Sequence, residues 1–303
     1  MAQEDGPGSD AVEAPTPEVL VQVEQPRRFR LPEEGNVITY GGRSYPIHGL
    51  LGQGAFGRVF ACTDDWGNEL AAKVLTPRNQ TFQEVEERWR RELRALVAIR
   101  HPNVTLVHTA FVCDDAFYII VERCMWPVSQ LLENGQGTEV WVPYIARDLL
   151  QAVHFVHGEN YVHKDIHGGN VFVFHAKDVM VPTKPPAWSF KLGDFGISNL
   201  ADGISPGTVL ADWMRPPEAL NPAEFGAIGP ATDIYHSALL LLSFVVGRNI
   251  QFTKEEIADG APRKTAEESG SRYAAALARA LRRHVRERTP TALQLWKDIK
   301  AVV

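Results

Sequence analysis

The stretch LGQGAFGRVFACT, residues 51–63, combines a Gly-x-Gly-x-x-Gly pattern with a following segment of strand character. Gly52, Gly54 and Gly57 lack a Cβ, so the backbone at these positions can approach a phosphate closely. A dinucleotide-binding fold requires a helix directly after such a loop. Because RVFACT continues as a strand instead, the pattern predicts a strand–turn–strand loop that covers a nucleotide.

Further strand pairs surround this loop and predict an antiparallel sheet in the first third of the chain. Upstream, VITY and RSYPI flank Gly41-Gly42, a two-residue hairpin signal. Downstream, GRVFACT pairs with ELAAKVL, and TLVHTAFV pairs with FYIIVERC across the turn at Asp114-Asp115. Between these two pairs, residues 83–100 contain no Gly or Pro and predict a helix.

The remainder of the chain has mainly helical apolar spacing. Four segments carry it: WVPYIARDLLQAVHFVH (141–157), ATDIYHSALLLLSFVVG (231–247), RYAAALARALRRHV (272–285) and TALQLWKDIKAVV (291–303). We interpret the basic run at 279–288 as a solvated helix face. The order of elements predicts an α+β, bilobal fold, with a β-rich lobe that holds one main helix (37–123), an α-rich lobe (124–303) and a nucleotide in the cleft between them.

Charge and cysteine usage restrict the partners and the compartment. The first 26 residues hold six acidic side chains and no basic one; without them, the formal charge of −6 becomes 31 acidic against 31 basic residues. A neutral body argues against a nucleic-acid or membrane-surface binder, and residues 1–36 have the composition of a disordered acidic tail. Three cysteines without a Cys-x-x-Cys pair, no secretory signal and no apolar run of membrane-spanning length predict a cytoplasmic protein.

Lys73 and Glu92 are candidates for a buried ion pair. Lys73 lies in ELAAKVL among small or apolar neighbours, where an ammonium group needs a partner. The helix that follows has an apolar stripe whose members are four, three and four residues apart: Val85, Trp89, Glu92 and Leu96. Glu92 is the only carboxylate on the stripe. The alternative is an exposed lysine and a glutamate on the flank of the helix, whereas a buried pair would hold the ammonium ready for phosphate oxygens.

The segment HKDIHGGN, residues 163–170, crowds polar groups around two glycines. A zinc site on His163 and His167 would need further ligands that this pattern does not supply. Asp165 and Asn170, five residues apart, suit a loop in which the carboxylate accepts a hydroxyl proton and the amide oxygen faces a cation. Asp194, which follows a short apolar strand, would be a second oxygen ligand for the same ion, and oxygen ligands favour Mg²⁺.

In this order, the motifs resemble the eukaryotic-type (Hanks-type) protein kinase family over roughly residues 40–303. GQGAFG is similar to its Gly-rich loop, AAK to its phosphate-pairing lysine, HKDIHGGN to its catalytic loop and DFG to its metal-binding segment. Glu218 in RPPE, Asp233 in DIYHSA and Arg288 before TPTA also match positions of the family. Arginine outnumbers lysine 22 to 9, which is weakly indicative of a bacterial member.

The resemblance implies a catalytic set of four residues. Asp165 would be the base, and Lys73, paired with Glu92, would bind the phosphates of ATP. His167 stands where the family has a lysine that contacts the transferred phosphate. Magnesium would bind Asn170 and Asp194, the aspartate of DFG.

The resemblance also implies where the nucleotide binds. Adenine would bind the backbone of Glu122 and Cys124, with Val121 in the gatekeeper position. The implied nucleotide-binding residues are Gly52, Gly54, Gly57, Val59, Ala71, Lys73, Val121, Glu122, Cys124, Asn170 and Asp194.

Four departures from the family pattern affect the expected activity. Lys164 replaces the catalytic-loop arginine, keeping the charge but not the bidentate fork that grips a phosphorylated activation loop. His167 makes a charge near the transferred phosphate dependent on its surroundings. A Pro-rich insertion, VPTKPPAW (181–188), predicts an extended surface loop, and Gly207-Thr208 lies at a non-standard distance from RPPE.

These observations favour an ATP-dependent kinase that transfers the γ-phosphoryl group to Ser/Thr hydroxyls of protein substrates. Ser198, Ser205 and Thr208 are candidate autophosphorylation sites. One alternative is a small-molecule phosphotransferase of the aminoglycoside-kinase type, which the Gly-Gly pair before Asn170 slightly favours. The other is a nucleotide-binding pseudokinase, for which His167 is the main support.

Overall fold

The computed structural model describes residues 30–54, 57–75, 81–176, 180, 187–204 and 215–303. A six-stranded antiparallel sheet comes first in these residues, and a mainly helical region follows it, which confirms the predicted α+β, bilobal class. The strands of the large sheet are Val37–Tyr40 (β1), Arg43–Gly54 (β2), Gly57–Thr63 (β3), Glu69–Leu75 (β4), Val107–Cys113 (β5) and Ala116–Glu122 (β6). Their order is β1-β2-β3-β4-β6-β5.

Turn chemistry sets the registers of two hairpins, as predicted. Gly41-Gly42 has φ values of +59° and +75°, the left-handed conformation that a two-residue hairpin turn requires. Asp114-Asp115 takes φ values of +49° and +57° between β5 and β6, a region that short polar side chains tolerate. In the neighbouring β3–β4 pair, Val59 lies opposite Lys73, which places the lysine next to the strand that follows the glycine loop.

Gly57 has a different role from the one predicted. A Cβ at Gly57 would lie 2.3 Å from the carbonyl oxygen of Val74 in β4. At Gly52 and Gly54, a Cβ would meet no described atom within 4 Å. The third glycine of the motif is therefore required by the close approach of two strands, and only the first two face open space above the cavity.

Helix α1, Phe82–Ala98, carries the predicted apolar stripe. Thr81 caps it: its side chain accepts from the Glu84 N–H, and the Glu84 carboxylate accepts from the Thr81 N–H. The indole Nε1 of Trp89 donates to the carbonyl oxygen of Tyr118 in β6 at 2.9 Å. This bond ties the helix to the sheet and places Glu92 on the face that looks toward β4.

The helical region packs around one buried helix. Its helices are Ser129–Glu133 (α2), Val142–Gly158 (α3), Pro217–Leu220 (α4), Pro222–Phe225 (α5), Pro230–Val246 (α6), Lys254–Ala258 (α7), Ala261–Glu268 (α8), Ala274–Ala280 (α9) and Ala292–Lys300 (α10). Every residue of α6 from 232 to 244 is buried, which confirms its prediction as a core helix. Among the described residues, no helix has the length and apolarity needed to span a bilayer.

The prediction of a single helix over 272–285, with a solvated basic face at 279–288, is wrong. Helix α9 ends at Ala280. The carbonyl oxygens of Arg282 and Arg283 instead accept hydrogen bonds from the Arg288 guanidinium, at 2.7 Å and 3.1 Å. Arg288 itself is buried. Tertiary bonds to this arginine therefore override the helix propensity of its neighbours.

Short strands frame the segment between α3 and α4. They are Trp126–Pro127 (β7), Tyr161–Val162 (β8), Val171–Ala176 (β9), Ala187–Leu192 (β10) and Asn199–Leu200 (β11), arranged as β10-β9-β7 and β11-β8. HKDIHGGN joins β8 to β9, and Asp194 comes just after β10. The last two residues of the predicted insertion, Ala187 and Trp188, begin β10 rather than a surface loop. Residues 181–186, like residues 1–29 of the predicted tail, lie outside the described part of the chain.

Candidate active site

Three elements converge on Lys73. Its Nζ lies 2.6 Å from Glu92 Oε1 and 2.7 Å from Asp194 Oδ1. Lys73 comes from β4 and Glu92 from the buried face of α1, while Asp194 follows β10. The predicted Lys73–Glu92 ion pair is confirmed. Asp194, which was predicted as a metal ligand and a nucleotide-binding residue, is also a second partner of the lysine.

The electrostatics of this cluster leave the two groups nearest the cavity ionised. Burial lowers the pKa of Lys73, but the charges of Asp194 and Glu92 outweigh it and hold that pKa above its ordinary value. Burial acts upward on the pKa of Asp194, but Lys73 brings it below the usual range. Burial raises the pKa of Glu92 despite the attraction of Lys73. Within the described residues, Glu92 Oε2 is buried without a hydrogen bond.

Hydrogen bonds between Asp165 and Asn170 link two positions of the catalytic loop. The Asn170 Nδ2 donates to the Asp165 carbonyl oxygen at 2.9 Å and to its Oδ2 at 3.1 Å. The Asp165 Oδ1 is buried and, in the part of the chain that the structure describes, makes no hydrogen bond. A carboxylate fixed in this way can accept a proton from a substrate hydroxyl.

His163 supports the backbone of the catalytic loop. The fully buried Asp233 of α6 accepts from the N–H groups of His163 and Lys164, at 2.9 Å and 2.7 Å. The His163 Nδ1 accepts from the Asp165 N–H, so its Nε2 donates to the Gly193 carbonyl oxygen at 3.0 Å. The ring thereby joins the catalytic loop to the residue that precedes Asp194.

His167 lies beside the carboxylate of Asp165. Its Nε2 is 3.5 Å from Asp165 Oδ1, and its Nδ1 is 3.0 Å from the Gly169 nitrogen. Burial lowers the pKa of His167 although Asp165 acts in the opposite direction. The lowered pKa favours the neutral ring, so the position where the family has a lysine carries no fixed charge.

Lys164, which replaces the family's arginine, is fully buried with a φ of +69°. Its Nζ donates to Asn199 Oδ1 of β11 at 2.6 Å. Burial lowers the pKa of Lys164 to about 8, and the attraction of Asp233 only partly offsets it. The prediction that this lysine keeps the charge of the arginine therefore holds below about pH 8 and fails above it.

The candidate autophosphorylation site at Ser198 needs correction. Ser198 is fully buried, and its hydroxyl donates to the His163 carbonyl oxygen at 3.4 Å. A hydroxyl in that position cannot reach a nucleotide without unfolding of the loop around it. The other two candidates, Ser205 and Thr208, lie outside the described residues, as does the Gly-Thr pair.

A cavity of about 340 Å³ lies between the large sheet and the catalytic loop. Its wall includes every residue of the implied nucleotide-binding set except Gly57: Gly52, Gly54, Val59, Ala71, Lys73, Val121, Glu122, Cys124, Asn170 and Asp194. Sequence reasoning missed several further apolar residues of the wall, among them Leu51, Leu96 and Phe172. For Leu96 the signal was present, because it shares the apolar stripe of α1 with Glu92.

A second ion pair, at the edge of this cavity, was not predicted. The Glu122 carboxylate accepts from Lys191 Nζ at 2.7 Å and from the Leu106 N–H at 2.7 Å. The backbone N–H of Glu122 donates to the Leu106 carbonyl oxygen at 2.9 Å. Lys191 belongs to β10, the strand that leads to Asp194. Glu122 ends β6, where the chain leaves the large sheet for the helical region. The ion pair therefore joins these two segments.

The residues at the inner end of the cavity fit a hard cation that is held together with phosphates. Asn170 uses its amide nitrogen on Asp165, which leaves its carbonyl oxygen as the ligand atom. Asp194 adds a carboxylate. Among the described residues, no group of three or more His, Cys, Asp or Glu side chains could hold a metal by itself. A Mg²⁺ ion here would need phosphate oxygens to complete its coordination, which is how this ion usually binds in kinases.

A third ion pair lies deep in the helical region. Arg288 donates from Nη1 to Glu218 Oε1 at 2.8 Å and from Nη2 to Glu218 Oε2 at 2.5 Å. The Thr232 hydroxyl donates to the same Oε1 at 2.8 Å. This bidentate pair fixes α4 against the segment between α9 and α10, as the resemblance implied.

A sheet-rich region, a helical region and a cavity that a glycine loop helps to line give this molecule the architecture of a kinase-type phosphotransferase. A profile described as protein kinase domain matches residues 45–298. The chain therefore belongs to the protein kinase family.

Curated relatives are similar to this chain over part of their length. Human cyclin-dependent kinase-like 5 is 30% identical over 205 residues, which is 65% of this chain and 20% of the relative. Probable serine/threonine-protein kinase zyg-1 of Caenorhabditis briggsae is 28% identical over 200 residues, 64% of this chain and 26% of the relative. Serine/threonine-protein kinase TAO3 of Xenopus laevis is 26% identical over 171 residues, 55% of this chain and 18% of the relative. The alignments cover about a quarter or less of each relative.

Proposed function

We propose that this chain is an active, ATP-dependent protein kinase that transfers the γ-phosphoryl group to serine or threonine hydroxyls. The main support for the proposal is the position of Lys73 in the wall of the cavity. Its Nζ lies 2.6 Å from Glu92 Oε1 and 2.7 Å from Asp194 Oδ1. Membership of the family implies ATP and a protein substrate. The preference for serine or threonine rests on relatives that bear the name serine/threonine-protein kinase.

In the proposed reaction, each residue has a separate task. Lys73, oriented by Glu92, binds phosphate oxygens of ATP, and Asp165 accepts the proton of the substrate hydroxyl. The hydroxyl oxygen forms a bond to the γ-phosphorus while the bond from that phosphorus to the ADP oxygen breaks. Asn170 and Asp194 would hold Mg²⁺, which when bound neutralises charge on the phosphates. Such a transfer depends on positioning and electrostatics more than on covalent help from the protein.

Three further points belong to the proposal. The two lobes comprise residues 37–123 and 124–303. Adenine binds the backbone of Glu122 and Cys124. Autophosphorylation would use Ser205 or Thr208. The free state of Cys62, Cys113 and Cys124 supports a reducing, cytoplasmic location.

The test is transfer of label from γ-labelled ATP with Mg²⁺, using a generic basic protein, an aminoglycoside panel and no added substrate as separate arms. Wild type should label protein, whereas Asp165→Ala and Asp194→Ala should not. Label on an aminoglycoside alone would favour a small-molecule phosphotransferase. If nucleotide binds but no label is transferred, the chain is a pseudokinase and the proposal is wrong.

A further inference from the structure

The two glycines of HKDIHGGN are needed for different reasons. A Cβ at Gly168 would lie 3.1 Å from the Ser129 Cβ, and the Gly168 carbonyl oxygen accepts from the Ser129 N–H at 3.0 Å. A Cβ at Gly169 would lie 2.7 Å from Cε1 and 3.0 Å from Nδ1 of His167. Gly168 therefore makes room for the start of α2, whereas Gly169 makes room for the imidazole of its own loop.

The bond between these two neighbours determines where the imidazole carries its proton. The Gly169 backbone nitrogen can only donate, so the His167 Nδ1, 3.0 Å away, is the acceptor and carries no hydrogen. A neutral imidazole has a single N–H, which must then be on Nε2. The protonated nitrogen is the one that lies 3.5 Å from Asp165 Oδ1.

The Asp165 carboxylate is consequently flanked on both sides by N–H donors. Its Oδ2 accepts from the Asn170 amide at 3.1 Å. Its Oδ1, which is buried and makes no hydrogen bond among the described residues, faces the His167 Nε2–H. A separation of 3.5 Å is long for a hydrogen bond, but catalytic contacts of this kind often tighten only when substrate is bound.

We propose that His167 is a positioning residue for the Asp165 base, and that the Gly169 N–H holds its ring in the Nε2–H tautomer that this role requires. The proposal deepens the proposed function and rests on it. It differs from the role that the resemblance implies, in which a cation at this position contacts the transferred phosphate. In that role the Gly169 N–H would be irrelevant, because a charged imidazole has no acceptor nitrogen.

The two roles predict different couplings between His167 and Gly169. If Gly169 acts through the ring, adding a methyl group at residue 169 displaces the imidazole and costs activity only while the imidazole is present. Residues that act as one unit have non-additive effects on substitution. A double-mutant cycle on these two positions therefore measures the proposed dependence directly.

The kinetic arm compares wild type, His167→Ala, Gly169→Ala and the double variant, with ATP and a basic protein substrate. Each single substitution should lower kcat by roughly ten- to a hundredfold, the cost of misplacing a reacting group, with the KM for ATP changed less than about twofold. The double variant should be no slower than His167→Ala. Multiplicative losses, or an effect confined to the KM for ATP, would overturn the proposal.

The spectroscopic arm does not depend on turnover. In protein labelled with ¹⁵N-histidine, the His167 resonances, assigned by their loss in His167→Ala, should be those of a bare Nδ1 and a protonated Nε2. Asp165→Asn should shift the Nε2–H proton, and Gly169→Ala should change the tautomer populations. A protonated Nδ1 in the wild type, or no response to Asp165→Asn, would contradict the proposal. An inactive wild type that gives the expected spectra would overturn the proposed function while supporting the His167 contact.

Discussion

Two buried ion pairs in this kinase domain differ in how many of their carboxylate oxygens accept hydrogen bonds and in how far their side chains are exposed. The Arg288–Glu218 pair has no exposed side-chain surface, and both carboxylate oxygens accept from the guanidinium. Around Lys73, by contrast, Glu92 Oε2 is buried without a hydrogen bond among the described residues, and the Asp194 side chain is 37% exposed. One pair is closed and the other is open toward a cavity.

The difference follows from the chemistry of the two cations. The planar guanidinium of Arg288 presents several donors in a fixed fork, which lets one residue satisfy a carboxylate and nearby carbonyl oxygens together. The ammonium of Lys73 is a compact point charge on a flexible stem, and it can share its donors between two carboxylates and a ligand. A closed pair holds a fold together, whereas an open pair marks the place where a ligand completes the bonding.

The largest effect should come from breaking the open pair. Lys73→Met removes the proposed phosphate contact and should reduce phosphoryl transfer by about 10³-fold, the upper range for loss of one electrostatic donor. Labelled transfer to protein measures the rate, and circular dichroism checks that the variant is folded. A Lys73→Met protein with a rate within tenfold of wild type would show that another group performs this task.

Breaking the closed pair should cost stability instead. Arg288→Met leaves Glu218 buried and unpaired and should lower the free energy of unfolding by about 3–5 kcal/mol. Urea unfolding measures this loss. Adding Glu218→Gln removes the uncompensated charge and should restore part of the lost free energy of unfolding. If Arg288→Met unfolds at the same urea concentration as wild type, the pair is not a structural element.

Lys164 is a third buried cation, and its Nζ donates to the uncharged Asn199. Because burial lowers its pKa, its contribution to stability should depend on pH. Its folded pKa of about 8 lies below the unfolded value of about 10.4, so between these values the unfolded state binds more protons. Unfolding free energy should therefore rise with pH across this window, by roughly 3 kcal/mol at most. The measurement is urea unfolding of wild type against Lys164→Met from pH 7.5 to 10. Parallel curves for the two proteins would contradict the assignment.

The Glu122–Lys191 pair lies between the two extremes, since it is partly buried and also bonded to the Leu106 N–H. Lys191→Met loosens the segment that carries the proposed adenine contacts and should cost about 1 kcal/mol, which is about a fivefold rise in the KM for ATP. The kcat should change little, because Lys191 bonds to Glu122 on the nucleotide side of the cavity. A fall in kcat with no change in KM would place the effect on catalysis instead. Lys297→Met, at the far C-terminal helix, is the matched control.

The smallest effect should come from making a neutral contact charged. His167→Lys places an ammonium beside Asp165, as the family pattern has it, and should keep or raise the transfer rate, within about threefold of wild type. The rates of His167→Lys and His167→Ala, measured together, show whether activity requires an N–H donor at this position or the imidazole ring itself. A collapse of activity in His167→Lys would mean that the imidazole itself is needed.

Local signals in the sequence predicted most of the fold and some of the contacts of the site. Turn residues located the hairpins, and helix spacing selected Glu92 as the partner of Lys73. Contacts between distant segments were out of reach: Asp194 lies 121 residues from Lys73, and Lys191 lies 69 from Glu122. Apolar periodicity reports which face of an element is buried, but not which distant residue lies against it. For the same reason, the end of α9 depends on bonds to Arg288 and was predicted wrongly.

The position of Cys124 in the wall of the nucleotide cavity has a consequence for inhibitor chemistry. Burial, helped by the nearby charge of Glu122, raises the pKa of this thiol to about 12. The thiolate is the nucleophile of cysteine chemistry, so at neutral pH almost none of the reactive form is present. Electrophilic inhibitors that enter the cavity should alkylate Cys124 only slowly. Selective compounds for this kinase would then gain affinity from shape and from backbone contacts, with reversible kinetics.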